Sequence, residues 1–212
     1  MIRLLAPQRV VRGYRDGSIR QLRLLVVLPK WMRFQKDGAI EMHCEGSIYI
    51  DQDPHALIDD GYLKPPVLPG QEFWMAEKWC EYCYVDERGY THFDQTTVYY
   101  AADDYPDFEI VDGDGFLLDD QRIKWHSSTS MPRKYARTFG KALTVRVQRV
   151  QEMTEEDCYA EGVPRGAYAY PPSTPLGLAK GMFRIDWDAE HPRNPWAWNP
   201  WTWVIEPERS KP

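Results

Sequence analysis

Residues 143–162 carry the clearest structural signal in the sequence, and they read LTVRVQRVQEMTEEDCYAEG. Apolar and polar side chains alternate from Leu143 to Val147, the period of two that is typical of a strand with one buried face. Thr154 then precedes three consecutive acidic residues, which favours the N-terminus of a helix, and Gly162 is suited to its end. The segment therefore predicts a strand that leads directly into a short helix.

Short strands and loops are predicted on both sides of this unit. A helix is expected at 7–16, before Gly17, and strands at 19–28, 39–50, 72–84 and 201–205. Residues 51–69, 101–120 and 163–181 are rich in Asp, Pro or Gly and are expected to be loops. We therefore predict a single α+β domain over 1–212, built on a small β-barrel with short flanking helices.

Charge is strongly segregated along the 212 residues, whose net charge is −6. Residues 1–36 carry nine basic and one acidic residue, whereas 37–120 carry three basic and 21 acidic residues. Residues 121–149, called the basic segment below, contain eight Lys or Arg and no Asp or Glu. A basic segment in an acidic chain indicates an anionic partner such as a phosphate backbone, or else pairing with the acidic stretch. The acidic stretch, about 37–120, is predicted to be a long insertion partly inside the barrel.

The composition also limits location and cofactors. No run of 18 apolar residues occurs, so no membrane span is expected, and the apolar part of the N-terminus is too short for a signal peptide. We expect a cytoplasmic protein with free thiols. Cys80 and Cys83 form a CxxC pair that zinc could use, but one pair does not specify a site, and its aromatic neighbours favour an ordinary strand. No metal or other cofactor is predicted.

Candidate ligand-binding residues cluster in and near the basic segment. Arg133 and Arg137 are four residues apart, so a helical turn would place both guanidinium groups on one face, where they could contact phosphate in a bidentate manner. A tryptophan beside them could stack on a base. The predicted nucleic-acid-binding residues are Arg133, Arg137, Lys134, Arg20, Arg23, Trp125 and Ser127.

Four motifs occur in order along the chain. They are VVRGYRDGSIRQLR at 10–23, PGQEFWMAEKW at 69–79, MPR at 131–133 with AR at 136–137 and the strand–helix unit up to residue 162, and NPWTWVI at 199–205. Together they resemble the ASCH-type proteins of the PUA-like superfamily, in particular the phage and prophage branch. The resemblance implies a PUA-like pseudobarrel with a cleft suited to RNA or to a modified nucleobase.

The resemblance also bears on catalysis. Enzymes of the family combine a glycine with a lysine, a threonine or glutamate, an arginine and a downstream glutamate. Gly17 and Glu161 match the first and last positions, but Ile19, Leu22 and Leu24 occupy the other three. Isoleucine cannot act as nucleophile or base, so amidohydrolase activity is not expected, and whether the chain is an enzyme stays open.

The two arginines near these positions do not replace the missing groups. Strand alternation is expected to point the side chains of Arg20 and Arg23 elsewhere, and an arginine stays protonated.

Three functions follow from these observations. The first is a phage-type protein that binds nucleic acid or a modified nucleobase, with RNA or a modified nucleoside as its partner and DNA as a further possibility. The second is a hydrolase of modified nucleosides or RNA that uses Glu161. The third is a phage accessory or anti-defence factor that meets a host protein through its acidic surface, in the bacterial host cytoplasm. The oligomeric state is left open.

Overall fold

A computed structural model of the chain describes residues 1–44, 47–49, 52–85, 88, 90–103, 110–112, 114, 116, 123–165 and 177–210. These residues form a mixed α+β structure, as predicted. Most of the loop expected at 101–120 and the centre of the loop expected at 163–181 lie outside them. The elements are β1 (Ile2–Leu5), α1 (Gln8–Asp16), β2 (Leu22–Leu25), β3 (Met32–Phe34), β4 (Ile40–Cys44), β5 (Ser47–Tyr49), α2 (Pro54–Asp59), β6 (Glu72–Ala76), β7 (Trp79–Val85), β8 (Thr91–Tyr100), β9 (Phe139–Arg149), α3 (Glu155–Ala160), α4 (Leu178–Glu190) and β10 (Trp201–Ser210).

The main sheet has five strands in the order β1-β6-β9-β10-β2. β1 runs parallel to β6, and each of the other neighbouring pairs is antiparallel. β3, β4 and β5 form a second sheet, and β7 and β8 form a long hairpin. In the described part of the chain no pairing joins β1 to β2, so the predicted barrel is not closed. Residues of both edge strands line a cavity that lies between them.

β9 is the longest of the described strands. Its C-terminal half coincides with the strand that the alternation from Leu143 predicts, so this prediction is confirmed. Its register with β10 pairs Thr144 with Glu206 but Ala142 with Pro207, so Leu143 is an extra residue without a partner in the ladder. Such a bulge shifts the alternation of side chains. Leu143 is therefore 52% exposed although the alternating pattern predicted it to be buried, and Ala142 is buried in its place.

The two predicted helices are both present with their expected ends. α1 ends at Gly17, which adopts a left-handed conformation with φ 96°. In α3 the side chains of Thr154 and Asp157 form a capping box, each accepting a hydrogen bond from the other's main-chain N–H, and Gly162 follows with φ 92°. Local chemistry fixes these boundaries.

α2 lies inside the loop predicted at 51–69, and α4 begins inside the loop predicted at 163–181 and extends beyond it. Asp53 caps α2 by accepting a hydrogen bond from the main-chain N–H of His55, and a proline follows in the first turn. α4 begins at Leu178 and buries Ala179, Phe183 and Trp187, which are spaced four residues apart. Prolines and glycines near both helices favoured the prediction of loops. The cap at the start of α2 and the spacing of buried residues in α4 were therefore not recognised.

The apolar core has parts on both faces of β2. Leu22 packs with α1, Phe73 and Met75 in one cluster, and Leu25 packs against the cluster built by α3 and α4. Side chains on neighbouring strand positions point to opposite faces, so Arg23 shares the face of Leu25. In the described ranges no helix is both long and apolar enough to cross a membrane.

Candidate functional site: a cavity between the sheet edges

A cavity of about 420 Å³ lies between the edge strands β1 and β2. Three consecutive residues of each strand line it, 3–5 of β1 and 23–25 of β2. Consecutive strand residues lie on opposite faces of a sheet, so the cavity follows the gap between the edges and not one face alone. The rest of its wall is formed by Pro7, Val27, Lys64, Pro66, His191 and Trp203.

In the part of the chain that the structure describes, some main-chain groups of β2 have no hydrogen-bond partner and point into this cavity. The N–H of Val26 donates to the carbonyl of Trp201 on the β10 side, at 3.1 Å. Hydrogen-bonded pairs alternate along an antiparallel ladder, so Leu24 also bonds to β10, whereas Arg23 and Leu25 direct their N–H and C=O groups the other way. The cavity therefore has hydrogen-bond donors and acceptors of the main chain along one side.

The side chain of Arg23 is buried behind this edge. Its Nε donates to Oε1 of Glu161 at 2.7 Å, and its Nη1 donates to the hydroxyl of Thr202 at 3.1 Å. The side chain has no exposed surface, whereas the residue as a whole is 6% exposed, so its main chain provides the exposed part. Its Nη2 has no hydrogen-bond partner among the described residues.

This contact corrects the expectation that Arg23 points elsewhere. An isolated β-bridge pairs Ile19 with Glu161, which brings the carboxylate to the start of β2, where the long arginine side chain reaches it. Gln21 donates a further hydrogen bond to the same Oε1, at 3.2 Å.

Glu161 itself is almost fully buried. Burial raises the pKa of its carboxyl group, and the charge of Arg23 opposes that effect. Glu161 does not line the cavity. Glu161, the predicted catalytic residue, therefore has a structural contact in this geometry. It holds the side chain of Arg23 in place and so supports the edge of β2.

The cavity is electropositive at its polar positions. Arg3 and Lys64 line it, and none of the described residues that line it is a carboxylate. The guanidinium of Arg3 also donates to the carbonyl of Thr129, at 2.9 Å, which ties β1 to the 3-10 turn Ser128–Ser130 in the basic segment. The cavity and the basic segment are therefore neighbours.

His191 adds a titratable group to the cavity wall. Its ring stacks on Trp187, with centroids 4.0 Å apart and planes 11° apart. Its Nδ1 is buried. Burial lowers the pKa of this imidazole, so the neutral form is favoured.

Arg133 and Lys134 are exposed in the 3-10 turn Arg133–Tyr135. The Nη2 of Arg133 lies 3.7 Å from the sulfur of Met1, beside β1, and the ammonium of Lys134 lies 4.5 Å from the ring centroid of Tyr135. Within the described ranges, neither side chain forms an ion pair with a carboxylate. Both cations face solvent, and the guanidinium of Arg133 lies beside β1, which lines the cavity.

Arg137 has a different environment. The turn ends at Tyr135, so the spacing of four does not place it on a helical face with Arg133. Its guanidinium binds Glu77 at 3.1 and 2.7 Å and Asp103 at 2.7 and 2.8 Å. Of the two alternatives for the basic segment, an anionic partner or pairing with the acidic stretch, the second therefore applies to Arg137.

The remaining predicted residues are dispersed. Arg20 is exposed, and its main-chain N–H donates to the carbonyl of Ala160. Ser127 bonds to the hydroxyl of Thr129. Trp125 is half-buried against the cluster that contains Cys80, with the ammonium of Lys78 5.8 Å from its ring centroid. None of these three lines the cavity.

The geometry does not favour the zinc alternative. Cys80 and Cys83 lie three apart on β7, so their side chains project to opposite faces of the hairpin. Burial raises the pKa of Cys80 to about 11, which disfavours the thiolate that a metal needs. Among the described residues, no three His, Cys, Asp or Glu side chains come together as a possible metal site.

The sequence patterns missed Arg3, Lys64 and His191, because only the tertiary fold brings them to one cavity. The excess of basic residues in 1–36 was the one signal that included Arg3. Comparison with protein-family models, with curated proteins and with solved structures finds no match for this chain.

Proposed function

We propose that this chain binds single-stranded nucleic acid, with RNA as the first candidate, and that one ordinary or modified base enters the cavity between β1 and β2. The observation that carries the proposal is the cavity itself, which combines main-chain donors and acceptors with Arg3 and Lys64 and has no carboxylate among the described residues of its lining.

We also propose that the fold is of the PUA-like, ASCH type. The four motifs fall on α1 and the start of β2, on β6, on β9 with α3, and on β10, which are elements of the main sheet and its neighbours. This placement supports a PUA-like, ASCH-type architecture with an open sheet.

The dimensions and chemistry of the cavity suit a base. A volume of about 420 Å³ lies in the usual range of small-molecule sites. Apolar side chains such as Leu24 and Trp203 can cover the faces of the ring, and the main-chain groups of Arg23 and Leu25 can bond to its polar edge, as proteins do with unpaired RNA bases.

The phosphates of the strand then lie along the exposed cations. Arg3 connects the cavity to the basic segment through Thr129, and Arg133 reaches the same region beside Met1. Phosphate contacts of this kind provide sequence-independent affinity that decreases with salt.

The test of the charge contribution is fluorescence anisotropy with a labelled single-stranded RNA of about 12 nucleotides, titrated over a series of salt concentrations. We expect Arg133→Ala with Lys134→Ala to weaken binding and to lower the salt slope by about 1 to 2. The matched control is Arg165→Ala with Arg184→Ala, which removes two exposed arginines that pair with acids elsewhere and should leave the slope unchanged.

A separate variant tests whether the ligand enters the cavity. Val27 lines it and is 85% exposed, so Val27→Trp fills the entrance with little cost to folding, whereas Leu68→Trp adds the same ring at an exposed residue that does not line it. We expect only Val27→Trp to abolish binding of nucleoside monophosphates. Wild-type protein that shows no salt-sensitive binding to RNA or DNA oligonucleotides would refute the proposal.

A further inference from the structure

Two exposed aromatic residues, Trp31 and Tyr62, each precede a buried residue of the apolar cluster that also contains Trp203 of the cavity wall. Trp31 is 37% exposed and Tyr62 is 51% exposed. Their ring centroids are 5.5 Å apart, with planes at 83°. Tyr62 is two residues from Lys64 and Trp31 is four residues from Val27, and both of those residues line the cavity.

The main chain on each side of this pair is held in place. The carbonyl of Trp31 accepts a hydrogen bond from the N–H of His43 at 2.8 Å, and the N–H of Tyr62 donates to the carbonyl of Leu57 at 2.8 Å. The next residues in the chain, Met32 and Leu63, are buried in the same apolar cluster. The two rings therefore project from a fixed backbone and form an ordered surface.

An edge-to-face pair of exposed rings is suited to stacking. A base can lie against a ring face that the partner ring does not cover, and such stacking tolerates any base because each base has a π-face. We infer that Trp31 and Tyr62 form a second nucleotide subsite, which stacks the base next to the one in the cavity. The inference rests on the proposed binding of single-stranded nucleic acid.

The charges around the pair determine how this subsite contributes. Within four residues of the pair in the chain are three basic residues, Lys30, Arg33 and Lys64, and two acidic residues, Asp59 and Asp60. Arg33 is paired with Glu41, which leaves two charges of each sign. The opposite charges balance, so phosphate contacts add little here. The subsite contributes stacking that depends weakly on salt, in contrast to the cations of the basic segment.

The experiment compares ligands of different length on the same variants. Wild-type protein and Trp31→Ala with Tyr62→Ala are titrated with a nucleoside monophosphate, a dinucleotide and the labelled RNA of about 12 nucleotides. We expect the variant to bind the two longer ligands at least about tenfold more weakly, with the same salt slope, and to bind the monophosphate as the wild type does.

Two further variants serve as controls. Tyr49→Ala with Phe93→Ala removes two exposed aromatic residues from other strands and should not change binding. Trp31→Phe with Tyr62→Phe keeps two stacking rings and should retain most of the affinity, which separates stacking from an effect on folding.

The outcomes separate this inference from the proposed function. Oligonucleotide affinity equal to that of the Tyr49 and Phe93 control would overturn the second subsite while the cavity proposal stands. An equal loss of monophosphate affinity would also overturn it, because the pair would then support the cavity. Absence of any binding by the wild type would refute both the proposed function and the second subsite.

Discussion

Replacing Arg137 by alanine should destabilise the fold by about 3–5 kcal/mol, the cost of leaving a buried charge without its partner. Arg137 makes two hydrogen bonds to Glu77 and two to Asp103, and its guanidinium lies 3.6 Å from the ring centroid of Tyr100. The side chain of Glu77 has no exposed surface, and the hydroxyl of Thr138 is the other side-chain donor to it in the described part of the chain.

The assay is urea unfolding followed by circular dichroism, with the wild type and the variant compared under the same conditions. Arg137→Lys keeps the charge and should lose less, which provides a folded variant if the alanine protein does not fold.

A double variant completes the test. Arg137→Ala with Glu77→Gln removes the buried charge and should regain part of the stability. A loss below about 1 kcal/mol, together with weakened RNA binding by Arg137→Ala, would refute this reasoning and identify Arg137 as a ligand contact.

Three smaller predictions concern other parts of the structure. Because burial lowers the folded pKa of His191, the wild type should lose stability as the pH falls below about 6.5, and His191→Gln should remove that part of the pH dependence in urea midpoints. Gly38→Ala should cost at least about 1 kcal/mol in the same assay, because Gly38 has φ 76° and a Cβ there would lie 2.4 Å from the carbonyl oxygen of Trp198. Thr154→Ala should cost about 1 kcal/mol by removing the cap shared with Asp157, and an unchanged melting temperature would contradict this.

The parts of the fold predicted from sequence are those with local causes. The alternation in β9, the Thr154 cap of α3 and the glycine after α1 each depend on a few neighbouring residues. The bulge at Leu143 was not predictable in this way, because it is defined by the partner strand β10. The sequence pattern of one strand carries no information about its register with the neighbouring strand.

The site was less predictable for the same reason. Arg3, Lys64 and His191 come from three distant parts of the chain and share no local pattern. The charge of the basic segment was visible, but charge alone did not distinguish Arg133, which faces solvent, from Arg137, which binds two carboxylates. The partners of a long cationic side chain depend on the tertiary fold.

The gap in the main sheet has a consequence for how a ligand acts on this protein. β1 and β2 both belong to the first 25 residues and are connected through α1, so an occupant of the cavity links two segments that are close in the chain. Under the proposed function, a base bonded to the edge of β2 would take the place of a missing strand and complete the hydrogen bonding there. Ligand binding should therefore slow amide hydrogen exchange at Arg23 and Leu25, whose N–H groups point away from β10, more than at Leu24, which is already paired.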